Sequence, residues 1–220
     1  MRLGFPRIAG CAGWDVSKGR PSSLPSPDQP RRGRLIVVSG PSGVGKSSVV
    51  EGLAERLPFA FSVSMTTRAP RPDEVEGVHY RFVGRAEFAA AVAAGDLVEW
   101  AEYGGNLYGT PADRLEIELA SGNDVLLDIE IAGSRIIRDR FPDALMIFIV
   151  PPDREELARR LRSRGDTSES EVISRLAVAD EQTAAAQEFF DHFVANDDLG
   201  VAIDEVADIL VPSPTSDDST

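Results

Sequence analysis

Gly40-Pro41-Ser42-Gly43-Val44-Gly45-Lys46-Ser47-Ser48 is the stretch on which the reading of this chain turns. It fits the spacing G-x-x-x-x-G-K-[ST], with Gly40, Gly45, Lys46 and Ser47 in the fixed places. Before it runs Leu35-Ile36-Val37-Val38-Ser39, short, apolar and dense in β-branched residues, which predicts a buried strand. After it Val49, Val50, Leu53 and Leu57 recur at helical spacing. Strand, glycine loop and helix in that order are the context the motif needs. Glycines let consecutive backbone N–H groups turn inward around a phosphate, and the helix N-terminus adds its partial positive charge. Lys46 is then placed to reach the outer phosphates of a nucleotide, with the Ser47 hydroxyl facing Mg²⁺.

The composition narrows what such a loop can serve. A chain of 220 residues buries a substantial core as one domain, or as one domain with inserted subdomains. The apolar and charged fractions are those of a soluble globular protein, and no apolar run is long enough to span a bilayer. A formal charge of -13 argues against a general nucleic-acid surface, so anions must be held by local clusters of Arg and Lys. The lone cysteine, Cys11, cannot form an internal disulfide, which fits a reducing, cytoplasmic setting. His79 and His192 are too few and too far apart in sequence for a metal-site pattern.

Residues 1–33 combine five prolines with a basic excess and lack the apolar core of a secretory signal, so they are expected to be a disordered tail, as is 212–220. Between them lies one domain, 34–211. Its core, 34–63 and 111–211, follows a βα pattern, with strands expected at Leu35–Ser39, Val125–Ile129, Ala144–Val150 and His192–Ala195. A further strand is expected over Phe59–Met65, helices over Pro111–Ala120, Ala132–Phe141, Arg154–Ser163 and Val201–Leu210, and one long helix or a helix pair over Ser168–Phe190. The pattern is interrupted at about 64–110 by a segment with its own short strands and a helix over Arg85–Ala94 ended by Gly95. The segment also holds a strand at Leu97–Tyr103 and a turn at Gly104-Gly105-Asn106. The expected fold is α/β: a three-layer parallel-sheet core with an inserted mixed α+β subdomain and a helical lid at about 154–180.

Several side chains fit phosphate chemistry. Asp128 ends the strand Val-Leu-Leu-Asp, where an acid at the tip of a parallel strand beside the loop can hold Mg²⁺ directly or through water. Arg68 and Arg71 stand three residues apart in Arg-Ala-Pro-Arg, stiffened by Pro70 and Pro72. Two guanidinium forks so held suit a phosphate monoester, with Tyr80 and Tyr108 able to donate phenolic hydroxyls. On residue types alone the alternative, a solvated basic turn with core tyrosines, stands equally.

The runs FSVSMTTRAPRPDEVEGVHY, LVEWAEYGGNLYGT and VLLDIEIAG, with the glycine loop, resemble in order and spacing the nucleoside-monophosphate kinases of the guanylate kinase family, over about Arg34 to Leu210. The resemblance implies a P-loop kinase that transfers a phosphoryl group from ATP to GMP, with Mg²⁺. Its partners would be these two small molecules, with neither nucleic acid nor membrane, in a monomer or homodimer. It implies ATP binding by Gly40, Pro41, Ser42, Gly43, Val44, Gly45, Lys46, Ser47 and Ser48, with Asn196 beside adenine. GMP would lie against Ser64, Arg68, Arg71, Tyr80, Glu99, Tyr108, Thr110, Asp128 and Glu130. Glu99 would read the guanine edge. Guanine offers N1–H and the N2 amine as adjacent donors and a carboxylate accepts both, whereas adenine presents an acceptor at N1. The family's lid arginines would be Arg160, Arg164 and Arg175, closing over the transferred phosphoryl with Lys46 and Arg68. The metal would sit at Ser47 and Asp128.

Three positions depart from the family pattern. Glu130 stands where an Asp is usual, Ala132 replaces a glutamine, and His79 replaces an Asp. Two rival readings follow from related proteins: a non-catalytic module that binds phosphopeptides, and a kinase acting on a ribose phosphate. The intact Gly45-Lys46-Ser47 argues against the first, and the set Ser64, Glu99 and Thr110 against the second.

Overall fold

The structure, a computed structural model, describes residues 31–72, 74–163 and 168–211. Both expected tails fall almost wholly outside the described residues, as does Arg164.

The core is a five-stranded parallel sheet in the order β2-β7-β1-β8-β9. Its strands are β1 (Leu35–Ser39), β2 (Ala60–Phe61), β7 (Val125–Asp128), β8 (Leu145–Val150) and β9 (His192–Ala195). Alternation along β1 sends Leu35 and Val37 to one face and Ile36 and Val38 to the other, and both faces are covered. The first face packs on α3 (Ala112–Ala120) and α4 (Ile131–Arg140) through Leu115, Leu119 and Ile137. The second packs on α1 (Lys46–Ala54) and α7 (Leu199–Leu210) through Val49, Leu53, Ala202 and Val206. This gives the expected three layers.

The insertion forms a second sheet with the order β4-β3-β6-β5. It comprises β3 (Met65–Thr66), β4 (Arg81–Phe82), β5 (Leu97–Tyr103) and β6 (Asn106–Pro111). Helix α2 (Arg85–Ala94) covers one side, with Phe88 fully buried against Met65 and Leu97. A fourth apolar cluster joins α5 (Arg154–Ser163) to α6 (Glu169–Ala186) through Leu157, Leu161, Val172 and Leu176, so these two helices share a small core of their own.

The structure corrects four expectations. The strand expected over Phe59–Met65 is two strands in two sheets: Ala60–Phe61 pairs with β7, and Met65–Thr66 pairs with β4 and β6. Residues 106–111, expected as the end of a turn and the start of a helix, form β6. The turn proper is Gly104-Gly105, both at positive φ (57° and 76°), and Asn106 already pairs with Tyr103. Pro111 closes β6, and α3 begins only at Ala112. The long helix or helix pair expected over Ser168–Phe190 is a single helix that is capped at Ser168 by a reciprocal bond pair with Glu171 and stops at Ala186.

Candidate active site

Gly45, at φ 97°, turns the chain into α1, and no side chain caps that helix. Its first-turn N–H groups are therefore left facing the loop, which makes an anion site. A Cβ on Gly45 would fall on the Asn196 side-chain amide, which donates to the Val44 carbonyl at 2.8 Å. Lys46 Nζ donates to the Gly40 carbonyl at 2.6 Å and to that of Pro41 at 3.4 Å. The register of β1 against β7 sets Asp128 beside Val38, just ahead of the loop. Burial pushes the Asp128 and Glu130 carboxyls above their ordinary range, partly offset by Lys46.

Across the cleft stands the second sheet. Glu99 on β5 is 4% exposed, and its Oε1 accepts a 2.6 Å bond from Thr110 Oγ1 on β6. The other oxygen lies against Gly133 near the start of α4, where any Cβ would collide with it. Burial raises the Glu99 carboxyl to about 7, against the lowering effect of Thr110. Arg68 stacks over Tyr80 and Phe82, 5.5 and 5.9 Å from the ring centroids, and Tyr80 meets Tyr108 edge-on at 6.0 Å. Arg71 stands largely in solvent.

One cleft joins the two halves. Its wall includes Pro41, Ser42, Gly43, Gly45, Lys46, Ser47 and Ser48 from the loop, and Asp128 and Glu130 from the end of β7. Ser64, Arg68, Arg71, Tyr80, Glu99 and Tyr108 come from the insertion. Thr110 stands behind Glu99 rather than in the wall. Val44 is fully buried. Arg160 faces the back of the loop, donating to Val44 O at 3.2 Å and Asn196 O at 2.9 Å, with Glu156 at 2.6 Å holding its Nε. Arg175 is exposed on α6.

A family model described as "Guanylate kinase" matches residues 32–212. A guanylate kinase of Rubrobacter xylanophilus is 52% identical over 181 residues, 82% of this chain and 94% of that protein. One from a Synechococcus strain is 48% identical over 197 residues, 87% and 90% of the two chains. The crystal structure of guanylate kinase from Anaplasma phagocytophilum superposes with a TM-score of 0.67 at 32% identity, covering 82% of this chain and 85% of that one. The chain belongs to the guanylate kinase family.

Within that family frame the departures find their places. Glu130 lines the cleft beside Asp128 despite its extra methylene. His79 is not in the wall; its Nδ1 accepts the Val75 N–H at 2.9 Å and braces the turn before Tyr80. His192 is exposed on β9. Sequence reasoning passed over Tyr103, Ala101 and Gly133, all of which line the cleft. Glu99, Ala101 and Tyr103 are alternate residues of β5, so a period of two counted from Glu99 points to Tyr103. Burial raises the Tyr103 hydroxyl, with Glu130 and Tyr108 adding to the rise and Arg175 and Ser42 opposing it.

Proposed function

We propose that this cleft holds ATP on the loop side and GMP on the insertion side and transfers the γ-phosphoryl group between them. The activity is ATP + GMP to ADP + GDP. The observation that carries the assignment of sides is the single cleft itself, with Lys46 and the open N-terminus of α1 at one end and buried Glu99 at the other.

In this reading Glu99 accepts the N1–H and N2–H donors of guanine, held in place by Thr110 and backed by Gly133. Arg68, Arg71, Tyr80 and Tyr108 hold the GMP phosphate, which is already an anionic nucleophile and needs no strong base. One of its oxygens attacks the γ-phosphorus as the β–γ bridging P–O bond breaks and ADP leaves. The residues act by alignment and by neutralising charge on the transferred group. Lys46 exchanges its carbonyl partners for phosphate oxygens. Arg160, Arg164 and Arg175 belong to the lid, whose closure excludes water.

The oxygen-only set of Ser47, Asp128 and Glu130 fits Mg²⁺, which takes one or two carboxylates and leaves its other positions to nucleotide phosphates and water. Burial with only Lys46 in partial compensation leaves the two acids short of positive charge, which suits a cation. Held by these residues, the ion would supply positive charge that offsets the negative charge of the nucleotide phosphates.

No helix among the described residues is long and apolar enough to cross a membrane. A cytoplasmic place beside the nucleotide pools goes with this reading. ADP release measured on a panel of GMP, AMP and a ribose bisphosphate tests it. GMP should be strongly preferred, and equal rates with AMP would overturn the base-reading role of Glu99.

A further inference from the structure

The turn after Arg71 brings back a carboxylate that the phosphate-binding reading does not use. Glu74 presents Oε1 to Arg68 Nη2 at 2.7 Å and Oε2 to Arg68 Nη1 at 2.9 Å. The same Oε2 accepts the backbone N–H of Arg71 at 2.7 Å, and the Arg71 carbonyl accepts the Glu74 N–H at 3.1 Å. The side chain is only 12% exposed and Arg68 17%, whereas Arg71 is 67% exposed and 3.7 Å from Glu74. Tyr80 and Phe82 flank the guanidinium.

An acid in a phosphate site has two readings. It can stand in for the phosphate and leave when the nucleotide arrives, or it can be a fixed strut. A stand-in would be exposed and held by the arginine side chains alone. Glu74 is instead buried and tied to the backbone of its own turn, which favours the strut. Its geometry also leaves room for an anion. The carboxylate takes the end of the guanidinium, between Nη1 and Nη2. The side edge, Nε–H with the outer Nη2–H, is not taken by Glu74 or by the Ala69 carbonyl, and the neutral Tyr108 hydroxyl is the further group that acts on the guanidinium, so an oxyanion can bind bidentately there.

We propose that Glu74 is a positioning residue for the GMP phosphate. It fixes the end of Arg68 so that only the side edge meets the nucleotide, and it pins the backbone that carries Arg71. This rests on the assignment of the insertion as the GMP side. The arrangement makes two charge-assisted bonds before substrate arrives, so the long Arg68 side chain is ordered in advance rather than on binding. The same contacts hold the Glu74 carboxyl below the usual range, chiefly through Arg68, so it stays ionised at neutral pH.

Glu74→Gln keeps the shape and one acceptor for the Arg71 N–H but turns an amide NH₂ toward Arg68. The test is calorimetric binding of GMP and of guanosine, which lacks the phosphate, to the full chain. Glu74→Gln should weaken GMP by about tenfold or more, the loss expected for one charge-assisted bond, while guanosine stays within about twofold. Arg68→Lys should weaken GMP likewise. Adding Glu74→Gln to it should cost no more than about threefold further, since residues acting through one contact are not additive. Unchanged or tighter GMP binding in Glu74→Gln, equal weakening of guanosine, or fully multiplicative effects would each overturn the proposal. If the wild type binds GMP no better than guanosine, the phosphate reading of this end of the cleft falls, and the proposal with it.

Discussion

Glu99 is the residue whose replacement separates recognition from stability most sharply. Glu99→Gln preserves volume and the acceptor facing Thr110, but it swaps the other oxygen for an amide that meets a guanine donor. Losing one charge-assisted bond costs ~1.5–3 kcal/mol, about tenfold to a hundredfold in kcat/KM for GMP. The amide gives adenine N1 a donor, so the preference for GMP over AMP should narrow. Burial raises the Glu99 carboxyl from 4.5 to about 7, and this adds two pH signatures. Protonated Glu99 resembles glutamine, so the ratio of wild-type to mutant kcat/KM should approach one near pH 5. It should climb to its full value above pH 8, with the ionisation of GMP itself cancelling in the ratio.

The second signature is stability. The folded state holds the Glu99 proton more tightly than the unfolded chain does. That contribution is complete below the unfolded value of 4.5 and is lost as pH rises through about 7. Above pH 7 the buried charge therefore costs the nucleotide-free protein up to ~3 kcal/mol, at about 1.4 kcal/mol for each pH unit that separates the folded and unfolded values. Glu99→Gln should accordingly resist urea better than wild type at pH 8 and match it near pH 4.5. Urea titrations at both pH values, with GMP and AMP kinetics from pH 5 to 8.5, provide the test. A mutant less stable at pH 8, or slowed equally toward both nucleotides, would refute the reasoning.

Other substitutions probe the remaining parts of the site. Lys46→Ala should remove phosphoryl transfer while calorimetry still shows GMP binding; activity within about tenfold of wild type would contradict the loop assignment. Gly133→Ala pushes a methyl group into the Glu99 carboxylate and should raise KM for GMP about tenfold with KM for ATP unchanged, as read from initial rates. Ser39 Oγ is buried without a hydrogen-bond partner among the described residues, so Ser39→Ala should be neutral or stabilising by up to ~1 kcal/mol in urea unfolding.

The sequence made the loop and core strands plain because their residues are specified locally. β8, Leu145–Val150, is apolar throughout because helices cover both faces, and the glycines of the loop carry their own backbone demands. β6 was hidden for the opposite reason. Gly109 and Pro111 are poor strand formers. Gly109 is needed because a Cβ there would press on Leu97 Cδ1 at 2.8 Å and Phe88 Cζ at 3.1 Å, contacts that exist only once β5 and α2 are in place. The split of Phe59–Met65 is equally non-local. Ser62 N–H still bonds Leu126 O in the core sheet, while Ser64 O already takes Arg81 N–H in the other. Glu74 is one of three acids in five residues of sequence, and only the turn shows which of them meets Arg68. The family resemblance makes Arg160 a phosphate-facing arginine, yet the fold first gives it two backbone carbonyls to hold.

The two ends of the cleft treat their cations differently, and that difference suits the direction of transfer. Lys46 rests on neutral carbonyls, so exchanging them for phosphate oxygens breaks no charge pair, and a flexible ammonium can follow a phosphoryl group as it moves. Arg68 is paired with a buried carboxylate, stacked on aromatic rings and held as a planar fork. An in-line displacement needs a stationary acceptor oxygen while the donor phosphoryl travels, and misplacement by an ångström can cost about a hundredfold. A chain with net charge -13 can therefore run anion chemistry without a broadly basic surface. In the proposed reaction Lys46 would be the exchangeable cation where charge migrates, and Arg68 the fixed cation beside the acceptor.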